Sequence, residues 1–166
     1  MSNTKNYILS KEIAQKKLRR IAYEIVENNI DEQEIILAGI AENGIIVAKV
    51  IQNILEEISS LKIKLITLKM DKKNPKEVLT EPTIDFADKV IIVIDDVSNS
   101  GKTLLYAMKP FLDFHPKKIQ TLVLVERSHT SFPVRPDYVG LSIATTIQEH
   151  IFVEVKGDAL IGAYME

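Results

Sequence analysis

The chain has 166 residues, 46% of them hydrophobic, which suffices for one sizeable core and predicts a single domain over residues 1–166. Its 21 Lys and Arg against 23 Asp and Glu leave a formal net charge of -2, which removes the bulk electrostatic argument for a nucleic-acid binder. Zero cysteines exclude disulfides and thiolate metal sites, the three histidines have no metal-ligand spacing, and neither a membrane span nor a signal peptide is legible, so a soluble cytoplasmic protein is expected.

Ser10 to Asn28 places Ile13, Ala14, Leu18, Ile21, Ala22, Ile25 and Val26 on one stripe of helical period, with Ser10 as N-cap and Glu12 in the first turn. The run EIILAGIAENGIIVAKVIQNILEEI parses as a strand ending at Gly39, a turn, and a helix beginning near Gly44. KIKLITLKM alternates lysine with Ile63 and Leu65, the period of a half-exposed strand. The polar residues 71–88 read as a loop or weak hairpin, and at 18 residues as a flexible functional lid. Lys89 to Ile94 is an apolar strand, Gly101 to Phe114 a helix with Leu104, Leu105, Met108 and Leu112 inward, and Ile119 to Val125 another apolar strand. DYVGLSIA and IFVEV are shorter strands before a tail, KGDALIGAYME. Fully apolar strands alternating with helices predict an α/β fold of three layers, with a central, mainly parallel sheet and helices on both faces.

Ligands of such sheets collect at the carboxyl ends of the strands, and VIIVIDDVSNSGKT runs into such an end. Ser98, Asn99, Ser100, Gly101, Lys102 and Thr103 form a small, polar turn leading into a helix N-terminus, where backbone can approach an anion. Asp95 and Asp96 would repel that anion, so they must serve ligand hydroxyls or a bound Mg²⁺. A sugar phosphate with free diols meets both demands. A nucleoside-triphosphate P-loop does not fit, because Asp96 stands where its first glycine is required. A strand end and helix cap would account for one carboxylate, but not for two beside a phosphate-sized turn.

This stretch resembles the signature of the type I phosphoribosyltransferases, in which aliphatic residues precede two acidic ones and a loop ending in Thr/Ser-Gly-x-Thr. Within that family the likeness is greatest to the bacterial pyrimidine-operon attenuation regulators that double as uracil phosphoribosyltransferases. LRRIAYEIVENN, ILAGIAENGIIVAK, ERSHTSFPVRPDYVG and DALIGAYME carry it. The resemblance implies transfer of ribose 5-phosphate from phosphoribosyl pyrophosphate (PRPP) to a nucleobase, with uracil giving UMP. It also implies a small hood and a flexible hairpin loop near the cleft, Mg²⁺ bound with PRPP, and a homodimer. Asp95 and Asp96 would be the catalytic pair, facing the ribose hydroxyls and the metal indirectly; residues 98–103 would hold the 5-phosphate. Ala41, Glu42, Asn43 and Gly44 would face the pyrophosphate, and Arg127, Tyr138 and Val139 the base. Two departures stand out. The pyrophosphate loop has Glu42 where the regulators carry cations, leaving Lys72 or Lys73 of the long loop to supply charge. Asn99 replaces an aspartate of the 6-oxopurine branch and cannot act as its general base. Other readings are an RNA-binding attenuator sensing UMP or PRPP, with Lys16, Lys17, Arg19, Arg20, Arg127 and Arg135 as its basic surface, and a nucleotide-binding homologue with weakened turnover.

Overall fold

The computed structural model describes residues 4–166. In chain order the elements are β1 (Asn6–Leu9), α1 (Lys11–Asn28), β2 (Glu34–Ile40), α2 (Asn43–Ile58), β3 (Lys62–Met70), β4 (Val78–Glu81) and β5 (Val90–Ser98). There follow α3 (Lys102–Ala107), α4 (Lys109–Leu112), β6 (Lys118–Arg127), β7 (Tyr138–Ile143), β8 (Ile151–Lys156) and β9 (Ala159–Met165). Six strands form one sheet in the order β4-β3-β2-β5-β6-β7, parallel except for β4, which returns antiparallel along β3. The chain moves outward from β2 to β3 and, on the other side, from β5 through β6 to β7. The direction of winding therefore reverses between β2 and β5, and their carboxyl ends diverge into a crevice there.

Each face of the sheet is covered because β2, β5 and β6 are apolar on both sides. Ile35, Leu37, Ile92, Ile94, Leu122 and Leu124 pack under α1 and α2, while Ile36, Ala38, Ile91, Val93 and Val123 pack with α3, α4, Phe86 and Val134. Helix α1 starts where its cap predicts: Ser10 Oγ accepts the Ile13 amide at 3.2 Å, and Ala14, Leu18, Ile21, Ala22 and Ile25 are buried. Ile13 lies at the edge of that stripe and faces solvent at 43% exposure, against the sequence expectation.

Other expectations need correction. The predicted helix from Gly101 to Phe114 is two short helices, because Pro110, without an N–H, sits in the first turn of α4 and restarts the winding. The restart turns Leu112 outward, 60% exposed, and puts Phe111 in the core edge-on to Phe86 at 4.8 Å. The strand expected to stop at Ile94 continues through both aspartates to Ser98. The tail is not a tail: β9 pairs with β8 and with the N-terminal β1 as an antiparallel sheet, β1-β9-β8, the hood of this fold. Within the expected lid, residues 78–81 are strand and Phe86 is fully buried, which splits it into a 71–77 connection between β3 and β4 and an 82–89 connection anchored in the core by Phe86.

Gly44 in the first turn of α2 fixes how closely that helix meets β5. A Cβ there would stand 2.6 Å from the Ile94 carbonyl and 3.1 Å from Asp95 Cα, both backbone atoms with no freedom to move. Gly44→Ala is expected to lower stability by about 1–3 kcal/mol in a denaturant titration, the usual cost of overpacking.

Candidate active site

The last residues of β5 supply the chemistry. Asp95 is 1% exposed and Asp96 beside it is half-buried. The Asp96 amide donates to Asp95 Oδ1 at 2.9 Å, and the Val97 amide to Asp96 Oδ1 at 2.8 Å, so backbone orients both carboxyl groups. Asn43, at the start of α2, donates from Nδ2 to Asp96 Oδ2 and to the Val153 carbonyl, each at 3.2 Å, tying the loop after β2, the aspartates and the hood together. Lys72, from the 71–77 connection, places Nζ 3.0 and 3.1 Å from the two oxygens of Asp95. Burial first, and then the neighbouring Asp96, push the Asp95 carboxyl up to about 8; the Lys72 ammonium opposes this without cancelling it.

A cavity of about 370 Å³ opens over this pair. Its wall contains Asp95, Asp96 and every residue of the 98–103 turn, with Asn43 and Lys72 on one side and Ile151, Phe152 and Val153 of the hood above. Gly101 has φ +86°, a left-handed conformation that glycine adopts without penalty, and it turns the chain into α3. The turn is braced from below: the Ser100 carbonyl accepts the amides of Ser131 and Phe132 at 2.9 and 3.0 Å. Ser98 Oγ is buried and has no hydrogen-bond partner, an orphan hydroxyl in the cavity wall. Buried polar groups of this kind ordinarily find a partner, and a phosphate or sugar oxygen is of the right type.

Two smaller spaces adjoin the first. Ala41, Glu42 and Asn43, with Lys72 and Asp96, line one of about 290 Å³ on the β2 side. Gly44, predicted with them, lies instead in the packing contact against β5. On the β6 side, a space of about 460 Å³ is lined by Asn99, Ser100, Arg127, Ser128, His129, Ser131, Thr145 and Ile147. Arg127 is held there by a 2.6 Å bond from Nη2 to the Thr146 carbonyl.

Tyr138 and Val139 line none of these three spaces. They open β7, paired with Leu122 and Val123; Val123 also pairs with Asp95, so they stand level with that aspartate but two strands away from it. The Tyr138 ring is buried under α1; its hydroxyl donates to Gln120 Oε1 at 2.8 Å and accepts from Asn28 at 3.2 Å, and burial raises its pKa. The Val139 carbonyl accepts from Arg20. The aromatic in RPDYVG therefore serves the core, and the space on the β6 side is lined instead by Arg127 with Ser128, His129, Thr145 and Ile147, which sequence reading did not single out as a set.

The basic stretch of α1 lies away from the cleft and is locally compensated. Lys16 pairs with Glu12, Arg19 with Glu57 and Arg20 with Glu24. Among the described residues no cluster of three or more His, Cys, Asp or Glu side chains could hold a metal. Two adjacent carboxyl groups are too few for an octahedral cation, so Mg²⁺ fits this site only as the companion of a polyphosphate that brings its own oxygens.

A buried acidic pair, a braced polar turn and flanking spaces meet at the switch point of a parallel sheet. The chain matches the phosphoribosyl transferase domain family over residues 6–157, and it belongs to that family. It is 37% identical over 165 residues to the Bifunctional protein PyrR of Clostridium acetobutylicum, covering 93% of each chain, and 34% identical to that of Limosilactobacillus fermentum, covering 86% of each. Among solved structures, the hypoxanthine phosphoribosyltransferase of Trypanosoma cruzi superposes with a TM-score of 0.79 at 12% identity over 97% of both chains. A hypoxanthine-guanine phosphoribosyltransferase of Bacillus anthracis gives 0.72 at 20% identity, over 84% of this chain and 82% of that one. The fold is thus that of the type I phosphoribosyltransferases.

Proposed function

We propose that the chain transfers ribose 5-phosphate from PRPP to uracil, giving UMP and pyrophosphate. One observation carries this: a single cavity joins the buried Asp95 and Asp96 to the whole 98–103 turn, with a separate space on each flank for the two groups that exchange at C1 of the ribose. Ser98, Ser100 and Thr103 hydroxyls and the first amides of α3 receive the 5-phosphate. Asp95 and Asp96 accept hydrogen bonds from the ribose 2- and 3-hydroxyls and fix the ring. The pyrophosphate then lies toward Ala41, Glu42 and Asn43, and the base toward Arg127 and Thr145. Mg²⁺ arriving with PRPP supplies charge neutralisation of the leaving pyrophosphate. In the reaction the C1–oxygen bond breaks with its electron pair going to pyrophosphate, and the C1–N1 bond to uracil forms as the N1 proton passes to the departing pyrophosphate. The protein contributes alignment and exclusion of water, with the hood residues Ile151 to Val153 as the roof.

Uracil is preferred over purines because Asn99 lines the base-side space without an ionisable group, and because of the likeness to the pyrimidine-operon regulators. Pyrophosphate release with uracil, hypoxanthine and guanine as competing acceptors tests the assignment; a purine consumed faster than uracil would reverse it. The RNA-binding reading has less support here, since Lys16, Arg19 and Arg20 of α1 already face carboxylates.

Glu42 sets a negative charge where negative charge develops on the leaving group. Glu42→Gln is expected to raise kcat severalfold, about 1 kcal/mol of relieved repulsion, with little change in the KM for uracil. Steady-state kinetics at saturating PRPP reads this directly.

A further inference from the structure

We propose that Lys72 is an internal latch on the ribose position: in the ligand-free chain its ammonium occupies the carboxyl group that an incoming ribosyl pyrophosphate must reach, and the ligand has to displace it. The inference rests on the functional reading above for the identity of that ligand.

Asp95 is 1% exposed, and its outward lone pairs face the cavity. Lys72 Nζ lies 3.0 and 3.1 Å from its two oxygens and 3.9 Å from Asp96 Oδ1, while the Asp96 amide already takes a further position on Oδ1. A carboxylate has about four acceptor sites. An ammonium bridging both oxygens from the cavity side and a sugar hydroxyl seeking the same oxygens exclude one another.

The latch is built to release. The Lys72 side chain is 40% exposed and rides on residues 71–77, between β3 and β4. That connection is held at its far end by Lys109 Nζ on the Lys76 carbonyl at 2.7 Å, so Lys72 can swing without unpairing β4. Lys72 also lines the adjoining space with Ala41, Glu42 and Asn43. Displacement from Asp95 therefore leaves the cation in the wall where Glu42 stands and a pyrophosphate would arrive. Ligand entry and loop release become one event.

The association rate of Mg²⁺–PRPP separates this from ordinary electrostatics. Removing a cation beside a polyanion's binding site slows association. Removing a latch accelerates it. In stopped-flow binding at about pH 9, where Asp95 is ionised, Lys72→Met is expected to associate about fivefold faster than the wild type, the equivalent of one half-exposed ion pair, whereas Lys73→Met, one residue away and not on Asp95, associates more slowly. If the wild type binds PRPP and Lys72→Met associates no faster, the latch is wrong and the transferase reading stands. If the wild type itself binds no PRPP, the ribosyl-transfer reading fails and takes the latch with it.

Discussion

Replacing Asp95 and Asp96 together by asparagine is expected to cut Mg²⁺–PRPP affinity by about 1000-fold, the equivalent of two charge-assisted hydrogen bonds of roughly 2 kcal/mol each, without unfolding the chain. Neither carboxyl group supports the core. Both are oriented by amides of the next residue on β5, and Asn43 and Lys72 reach them from other elements across the cavity. An asparagine keeps the shape and an acceptor oxygen but loses the charge that favours a hydroxyl donor and a magnesium-bound polyphosphate. Isothermal titration with Mg²⁺–PRPP at about pH 9, above the value of about 8 at which Asp95 ionises, reads the affinity, and circular dichroism reads the fold. An unchanged affinity would mean that the ribose lies elsewhere.

The same carboxyl group makes stability depend on pH. Asp95 is pushed from the model-compound value of 3.8 up to about 8, chiefly by burial. Between those values the unfolded chain has released this proton while the folded chain retains it, so the unfolded state binds fewer protons and stability falls as pH rises. The contribution is fully present below pH 3.8 and is lost by about pH 8. Over pH 5.5 to 7.5, above the ordinary carboxylate range, the slope from this group approaches about 1.4 kcal/mol per pH unit at its steepest. Chemical denaturation at several pH values should show the wild type weakening across this window and Asp95→Asn largely flat. The variant should also exceed the wild type at pH 7.5 by about 1–2 kcal/mol, the stability a functional site gives up for a buried charge. A wild-type profile no steeper than that of Asp95→Asn would show that Asp95 is ionised throughout.

Much of this architecture is legible in the chain. Apolar strands at β2, β5 and β6 announce burial on both faces, and the Ser10 cap places α1 to the residue. VIIVIDDVSNSGKT points to one ligand-binding strand end, and the cavity gathers all of its polar residues into one wall. What pattern could not deliver is long-range geometry. β1 is four residues long, and its pairing with β9 joins opposite ends of the chain, so no local period reveals the hood. Tyr138 follows a proline-containing run that looks like a binding loop, yet its ring enters the core with the apolar face of α1 and lines no part of the cleft. Phe111 rather than Leu112 enters the core because Pro110 resets the helical phase, which a stripe drawn through Gly101 to Phe114 cannot register. Lys72 was visible as a charge near the site; that it rests on Asp95 depends on how residues 71–77 cross the cleft.

The most direct test of the transferase is to mix the chain with Mg²⁺, PRPP and labelled uracil and to count both products. Equal amounts of UMP and pyrophosphate, absent with the Asp95→Asn, Asp96→Asn double variant, are the predicted result. PRPP bound in a Mg²⁺-dependent manner but recovered intact beside unconsumed uracil would contradict it.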